Sequence, residues 1–551
     1  MSLVNHRTSR WPTPRGPEDR QSLELQLAKY EQEMAILEPQ LADLRHRVLE
    51  IKLRLSHARL LPMDVVYEIL DRWAEVEPDA PLIARCVCRQ WRDATSYYTQ
   101  AWRKIHISSF RMRKGAWHKV AMWVQNARRA LLDVTIHWTS QEQQRLTGDG
   151  VAYGGADKWL MEDAVEEACE SSYSWRRLSI RFDTWQVLDG LFGLFVFNHS
   201  AREPLVRLED LSIETVGHNP FTMELVEKTW LFGVIPNIRS FTCLGIRPHP
   251  APFFARLRSL TLGRFHYDTV ASIILLIEGC SALEELSLIE QQVVLDDDEE
   301  PIMLTHNSLR RLRILDYTYS EGDLINNLLP RLVLPKLSQL QMGTFGEHGT
   351  WYANENADAT EPGSTITGDT VLDFIKRSNP PLEALQLVGI PMSDVQLFEC
   401  LFRMHRLRQL EIKASSVGAD VFWALVLVDP APGQVAGILC PKLECLHLVG
   451  CHEAPGDAIL ALAQSRSRLN GRWTSNETTE EHRMRGTRPL RTLHVHACPK
   501  VDGYARSIDA ALPNGGFIFT ESEAIVFTGS PKRYRLSVVP PEWDEMLAGQ
   551  K

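Results

Sequence analysis

Leu283-Glu284-Glu285-Leu286-Ser287-Leu288 is one copy of a phrase, Leu-x-x-Leu-x-Leu, that returns in full or variant form to make eleven copies between residues 175 and 495. The other clear copies are Leu257/Leu260/Leu262, Leu309/Leu312/Ile314, Leu382/Leu385/Leu387, Leu407/Leu410/Ile412, Leu443/Leu446/Leu448 and Leu490/Leu493/Val495. Weaker copies begin at Trp175, Leu208, Ile238 and Leu337. The last two apolar positions of each phrase alternate with other residues, which is the period of a strand with one apolar side. A lone strand of that kind cannot bury its apolar side, and only a neighbouring copy supplies the cover. The expected fold class is therefore α/β, in the broad sense that includes α+β, with parallel strands stacked copy upon copy and helices outside them.

Helix signals stand between many of the phrases. Asp268 or Thr269 opens a predicted helix that ends at Gly279, Asp369 opens one that stops at Asn379-Pro380, and Asp457 opens one through Gln464. Successive phrases start 19 to 47 residues apart, several of them near 26. These phrases resemble leucine-rich repeats, and the scatter in spacing fits an irregular horseshoe-shaped solenoid with inserted loops. Cys451 and Cys498 fall where that family places an Asn or Cys, three residues past the last apolar strand position; most other units lack it. The solenoid is expected over residues 175–512, after a transition or degenerate first repeat over 106–174 that holds a helix at 116–129, the alternating strand LLDVTIHW and a helix at 157–170. Two polar insertions, Gly346 to Gly368 and Arg466 to Thr487, interrupt it. Residues 513–551 form a cap and tail in which GFIFTESEAIVF reads as a closing strand or hairpin, with little order beyond Pro540. The intervals of 45 and 47 residues before Leu382 and Leu490 each leave open a missed unit or an inserted loop.

The resemblance puts the residues between the buried leucines on the concave face, where a protein substrate would be held. In chain order these are Arg177, Arg181, Asp210, Glu214, Glu285, Arg311, Arg313, Gln339, Gln341, Gln386, Glu411, Lys413, His447, His494 and His496. Their charges alternate, which favours no single ligand class. His447 and His494 belong on adjacent strands about 4.8 Å apart, with Cys445 and His496 near them, a geometry that can hold a metal. Solvated or packed histidines are the plainer reading, so neither a metal nor a cofactor is expected.

The amino-terminal part has a different rhythm. After a lead-in over residues 1–17 that is rich in Pro and Arg and reads as disordered, Leu23, Leu27, Tyr30, Met34, Leu37, Leu41, Leu44, Val48, Ile51 and Leu55 alternate spacings of four and three. This is a heptad seam, so residues 18–58 are expected to form a coiled-coil helix or a hairpin. Pro39 sits on its outer side and predicts a kink or break. Glu31, Glu33 and Glu38 precede that point, whereas Arg45, Arg47, Lys52 and Arg54 follow it. An antiparallel partner, or a hairpin folded near Pro39, pairs these charges, whereas a parallel in-register dimer opposes like with like. A single helix lying on its own protein is the alternative.

Next comes LPMDVVYEILDRW, an amphipathic helix opened by Pro62 with Val65, Val66, Ile69 and Leu70 on the predicted buried side. PLIARCVCRQWRDATSYYTQAW follows with two more short helices carrying Leu82, Val87, Cys88, Trp91 and Trp102. About 40 residues cannot hide so much apolar surface alone, so a partner surface is expected. Leu61-Pro62, Ile69-Leu70, Val87-Cys88-Arg89-x-Trp91-Arg92 and Trp102 together resemble the F-box, a three-helix module over residues 59–105. The linking stretch around AEVEPDAP is longer than is usual in that family. A heptad helix running directly into an F-box is also similar to the large F-box families of mushroom-forming fungi. The resemblance implies binding to a Skp-type adaptor, and through it to a cullin, with Leu61, Pro62, Val65, Ile69, Leu70, Leu82, Val87, Cys88 and Trp91 as anchors. It implies a non-catalytic substrate receptor of a ubiquitin ligase, with an unknown protein as substrate. The alternative is a scaffolding protein with no part in ubiquitination.

Bulk properties agree with an interaction protein. The net charge is −10 with dispersed basic residues, so a nucleic-acid partner is not expected. The longest apolar runs, Ile273 to Ile277, Leu191 to Phe197 and Val421 to Val428, are far short of the roughly 20 residues of a membrane helix. The first twenty residues carry no apolar signal core, and the ten scattered cysteines read as reduced thiols, so a cytoplasmic or nuclear protein is expected, with the sequons at Asn198 and Asn476 unused. No Gly-Lys phosphate loop, Gly-x-Ser-x-Gly elbow, His-Glu-x-x-His or paired Cys-x-x-Cys occurs. Gly148, Gly150 and Gly154 have the wrong spacing for a dinucleotide loop. The acidic run Asp296 to Glu300 and the cluster Phe110 to Lys114 read as solvated surface.

Overall fold

A backbone regularity organises most of the chain. The carbonyl of Glu284 accepts from the amides of Arg310 and Arg311, that of Arg310 from Ser338 and Gln339, and that of Ser338 from Glu383 and Ala384. The same double acceptance runs on through Glu383, Arg408 and Glu444 and begins at Glu209, so each copy of the leucine phrase is pinned to the one before it at the same atom. This computed structural model describes residues 16–54, 61–109, 116–138, 156–183, 191, 193, 205–215, 237–246, 248, 252–264, 266–267, 270–289, 292–293, 302–317, 324–345, 368–413, 415, 417–426, 439–471, 488–512 and 517–520. The expected lead-in, most of both polar insertions, the acidic run, the Phe110 cluster, the glycine triplet, both sequons and the tail after Thr520 lie outside the described residues.

Among the described residues the main sheet has fourteen strands in chain order. It is built from β1 (Lys104–Ser108), β2 (Leu132–Trp138), β3 (Trp175–Phe182), β4 (Asp210–Thr215), β5 (Ser240–Leu244), β6 (Ser259–Gly263) and, after the two-residue β7 (His266–Tyr267), β8 (Glu285–Ile289). After β9 (Gln292–Val293) and β10 (Leu304–Thr305) it continues with β11 (Arg311–Tyr317), and after β12 (Leu332–Val333) with β13 (Gln339–Phe345), β14 (Ala384–Val388), β15 (Gln409–Lys413), β16 (Cys445–Val449), β17 (Thr492–His496) and β18 (Phe517–Thr520). From β3 to β18 every neighbouring pair is parallel. Because β13 pairs directly with β14, and β16 with β17, no strand of the main sheet comes from either long interval between them. The closing strand is β18, which pairs parallel with β17.

The apolar positions stack as predicted. Leu260, Leu286, Leu312, Leu340, Leu385, Leu410, Leu446 and Leu493 are register neighbours in one row, and all are buried. The weaker phrases are as deeply seated as the clear ones, since Trp175, Leu208, Ile238 and Leu337 are fully buried. Each such leucine stabilises the stack by about 1.5–3 kcal/mol. At five strand ends the next residue adopts a left-handed turn: Gly245, Arg264, Gly389, Gly450 and Ala497. That turn takes the chain out of the sheet, and two of the five sites are not glycine. The Cys451 and Cys498 thiols then donate back to the Ile412 and Leu448 carbonyls of the preceding strands. In two other units the same place is filled by Ile246 and Ile390, both buried.

Helices fill the connections. α1 is the amino-terminal helix (Pro17–Arg54), and α2 (Met63–Val76), α3 (Ala80–Val87) and α4 (Arg89–Tyr97) follow it. The rest are α5 (Ala116–Ala127), α6 (Ala156–Cys169), α7 (Val270–Glu278), α8 (Leu324–Leu328), α9 (Gly368–Ser378), α10 (Asp394–Arg403), α11 (Ala419–Leu425), α12 (Gly456–Gly471), α13 (Pro499–Asp502) and α14 (Ala505–Ala511). From α9 to α12 each helix packs on the next. Acidic residues at their first turns join them: Asp369 accepts from Gln396 Nε2 at 2.9 Å, and Asp394 accepts from the amides of Gly418 at 2.6 Å and Asp420 at 3.1 Å. Carboxylates there satisfy free amides and oppose the helix dipole. None of the described helices is long and apolar enough to cross a membrane.

Four expectations need correction. Pro39 lies inside α1 without ending it, so there is no hairpin. The link after α2 is only residues 77–79, because Ala74, Glu75 and Val76 continue the helix. Val65 is exposed, since the buried side of α2 is Val66, Leu70 and Ala74. Arg466 begins no insertion: it sits inside α12 and is fully buried.

The chain divides into two compact units, one of residues 1–105 with 119–132, the other of 106–118 with 133–551. The helical residues from Lys119 in α5, which the sequence assigns to the transition, thus belong with the three-helix module.

Candidate protein-binding surfaces

The first surface is on the module formed by α2, α3 and α4. Its interior is Val66, Leu70, Ala84, Cys88, Trp91, Ala94 and Trp102. Trp102 donates its ring N–H to the Thr95 carbonyl at 2.6 Å and meets Trp123 of α5 edge to face at 5.0 Å. The Arg85 guanidinium lies over the Trp102 ring, and Lys119 reaches from α5 to Asp79 at the start of α3. Gln90 of α4 holds the Leu61 carbonyl at 2.7 Å, fixing the chain just before Pro62. Tyr67 and Tyr98 stack at 4.7 Å, and burial together with Asp71 raises the Tyr98 hydroxyl above its ordinary pKa.

Of the nine expected anchors, Leu70, Cys88 and Trp91 therefore face inward and hold the module together. Pro62, Val65 and Val87 are exposed, and Leu61, Ile69 and Leu82 are half-buried. The spacing of Pro62, Val65 and Ile69 places them on one side of α2, and Ile83 and Val87 share one side of α3. Ile83 is 45% exposed and was missed by the sequence reading. Its signal was available, four residues before Val87 in an amphipathic helix. Two packed helices that both turn branched apolar side chains to solvent form a surface that protein association would cover.

The second surface is the polar side of the main sheet. One register row reads Ser179, Ser212, Thr242, Thr261, Ser287, Arg313, Gln341, Gln386, Glu411, His447, His494 and Ile518. The hydroxyls of its first half are not among the positions expected from the sequence. On the rows beside it, charges pair between neighbouring strands: Arg177 with Asp210 at 2.6 Å, Arg181 with Glu214 at 2.7 Å, and Arg311 with Glu285 at 2.6 Å. Arg264, from the turn after β6, joins Glu214 at 3.6 Å. Such half-exposed pairs contribute about 0–1 kcal/mol each and mainly fix which strand faces which. Glu411 is buried and pairs with Lys413 on its own strand. Gln339, Gln341, Gln386, His447, His494 and His496 are half-buried on this side.

Arg313 differs from the paired arginines. Its Nε has no hydrogen-bond partner, the Ser287 hydroxyl beside it in register has none either, and burial lowers the guanidinium pKa from its ordinary value. His447 and His494 are register partners whose rings meet edge to face at 5.4 Å, and Thr492 donates to Cys445 at 3.0 Å. Among the described residues no group of three or more His, Cys, Asp or Glu is placed to hold a metal. Glu444, just before β16, is a centre that sequence spacing could not reveal: Arg408 at 3.2 Å, Arg491 at 3.4 Å and, closest of the three, Arg488 all converge on it.

No protein-family model and no curated protein matches the chain.

Proposed function

We propose that the chain is the substrate-receptor subunit of a Skp-cullin-F-box type ubiquitin ligase, working in the cytoplasm or nucleus. In this reading the module at 61–102 is an F-box that binds the adaptor, and the repeated strands are a leucine-rich-repeat solenoid that holds a protein substrate. The observation that carries it is an outward apolar face on α2 and α3, in a three-helix module whose sequence carries the Leu-Pro and Val-Cys-Arg-x-Trp-Arg elements in order. Pro62, Val65, Ile69, Ile83 and Val87 would enter the adaptor, while Leu70, Cys88 and Trp91 shape the module from inside. A long row of hydroxyls, amides and imidazoles on the sheet offers many weak polar contacts, the surface of a binder. Arg313, with a half-buried cation and a free N–H, is the position best suited to an acidic side chain of the substrate. The reading assigns no catalytic residue, because the ligase acts by holding its substrate near a ubiquitin-loaded enzyme.

The test is capture of a Skp-type adaptor by the full chain, with Val65→Glu/Val87→Glu as the variant that keeps the interior intact. Capture by the wild type and its loss in the variant support the reading. Failure of the wild type to capture the adaptor sinks it and leaves a scaffold without a ligase.

A further inference from the structure

α1 runs unbroken for 38 residues, and its heptad seam faces solvent along its whole described length. Leu23, Leu27, Tyr30, Met34, Leu37, Leu41, Leu44, Val48 and Ile51 are each 48% to 60% exposed. Four heptads of exposed apolar seam are enough for a stable two-stranded coiled coil. We propose that α1 pairs with α1 of a second copy of this chain, antiparallel, with the two-fold axis passing at Pro39. This is independent of any ligase role.

The choice of a second copy comes from the self-complementarity of the helix about its own centre. With Leu27 at an a position and Leu23 at a d position, antiparallel packing sets a against d. Leu27 then faces Ile51 of the second copy, Tyr30 faces Val48, Met34 faces Leu44, and Leu37 faces Leu41. Every layer is apolar, and all are centred on residue 39. The flanking positions follow from the same register. Glu31 stands opposite Arg45, and Glu33 opposite Arg47, each twice per dimer. A helix whose second half is the charge complement of its first is what a self-complementary two-fold interface requires.

Two details bear on the choice. Pro39 occupies the outermost heptad position, so the dyad brings no ring into the interface, and Glu38 is the one acid that meets its own copy. Within one helix Glu33 lies 3.9 Å from Lys29 and Arg47 lies 2.8 Å from Asp43, exposed pairs worth too little to hold those side chains back. A parallel in-register dimer would set Glu33 against Glu38 and Arg47 against Lys52, so its flanking charges repel.

Sedimentation equilibrium of the full chain tests this with wild type, Glu31→Arg/Glu33→Arg, and the same pair combined with Arg45→Glu/Arg47→Glu. The expected result is a wild-type dimer, at least a tenfold rise in its dissociation constant for the double variant, and recovery in the quadruple variant, whose composition and folding burden match. A wild-type monomer at about 100 µM, or a dimer indifferent to the double variant, overturns the proposal. Spin labels at Ser22→Cys, in a Cys86→Ala background because Cys86 is the exposed cysteine, fix the direction. Antiparallel pairing puts them about 50 Å apart from the helical rise. A distance below about 20 Å would mean a parallel pair and would equally overturn it.

Discussion

Replacing Arg466 by Met removes a cation that clamps α12 to the end of α11 and to the segment before β16. Its guanidinium donates to the Leu425 carbonyl at 3.2 and 3.1 Å, to Cys440 at 3.2 Å and to Leu439 at 3.0 Å. Methionine fills the stem's volume but leaves the buried Leu425 and Leu439 carbonyls without that donor, at about 2 kcal/mol each, while the Cys440 carbonyl keeps the Leu443 amide at 3.1 Å. Against this, burial alone lowers the Arg466 pKa from 12.5 to about 10, and removing the charge recovers roughly 3 kcal/mol at 1.36 kcal/mol per pH unit. The net loss is about 1 kcal/mol, equivalent to a rise of about fivefold in local opening. The folded-state value is lowered, yet below pH 10 the group is charged in both folded and unfolded chains. The loss is therefore independent of pH across the neutral range. Hydrogen exchange of the peptides spanning 419–425, 439–449 and 456–471 reads it directly, because a folded chain opens locally as well as globally. Exchange equal to wild type in all three would refute the clamp. Arg466→Lys, which presents a single ammonium to the same carbonyls, should fall between the two.

Two further outcomes follow from the packing. A side chain at Gly343 would place its Cβ 2.9 Å from Val388 Cβ, so Gly343→Val should cost about 1–3 kcal/mol by overpacking, and an unchanged melting temperature would contradict that contact. Thiol reagents at pH 8 should modify Cys86 alone, because the other nine cysteines are buried and burial pushes Cys169, Cys280, Cys400 and Cys440 up to about 12. For these acids the folded value is the higher one. Stability should thus fall as pH rises above about 9, where the unfolded chain releases thiol protons that the folded chain keeps until about 12. Stability that stays level from pH 8 to 11 would argue against their burial.

The leucine phrase was legible because its period of two survives every variation in loop length. Ile238 and Leu337 sit as deep as Leu283 although their phrases are degenerate. What the phrase could not convey was distance along the chain. Leu382 and Leu490 follow long intervals, and only the pairing of β13 with β14 and of β16 with β17 shows that no strand of the main sheet comes between them. The charged positions were legible in the sequence but their partners were not: Arg177, Arg181, Glu285 and Arg311 pair with charges on neighbouring strands. A one-dimensional pattern names the face of a residue and not its partner. Glu444 and Arg466 were missed for that reason, as each gathers partners from segments more than 25 residues away. In α2 the apolar stripe was wider than the side available for burial, so Val65 was assigned inward while it points out.

Calorimetric titration of the full chain with a Skp-type adaptor tests the central claim most directly. The account predicts saturable binding with a dissociation constant below about 1 µM, or more than about 8 kcal/mol. It also predicts at least a hundredfold loss on Val65→Glu/Val87→Glu with an unchanged melting temperature, since neither residue belongs to the buried interior. No binding by the wild type, or equal binding by the variant, would contradict it.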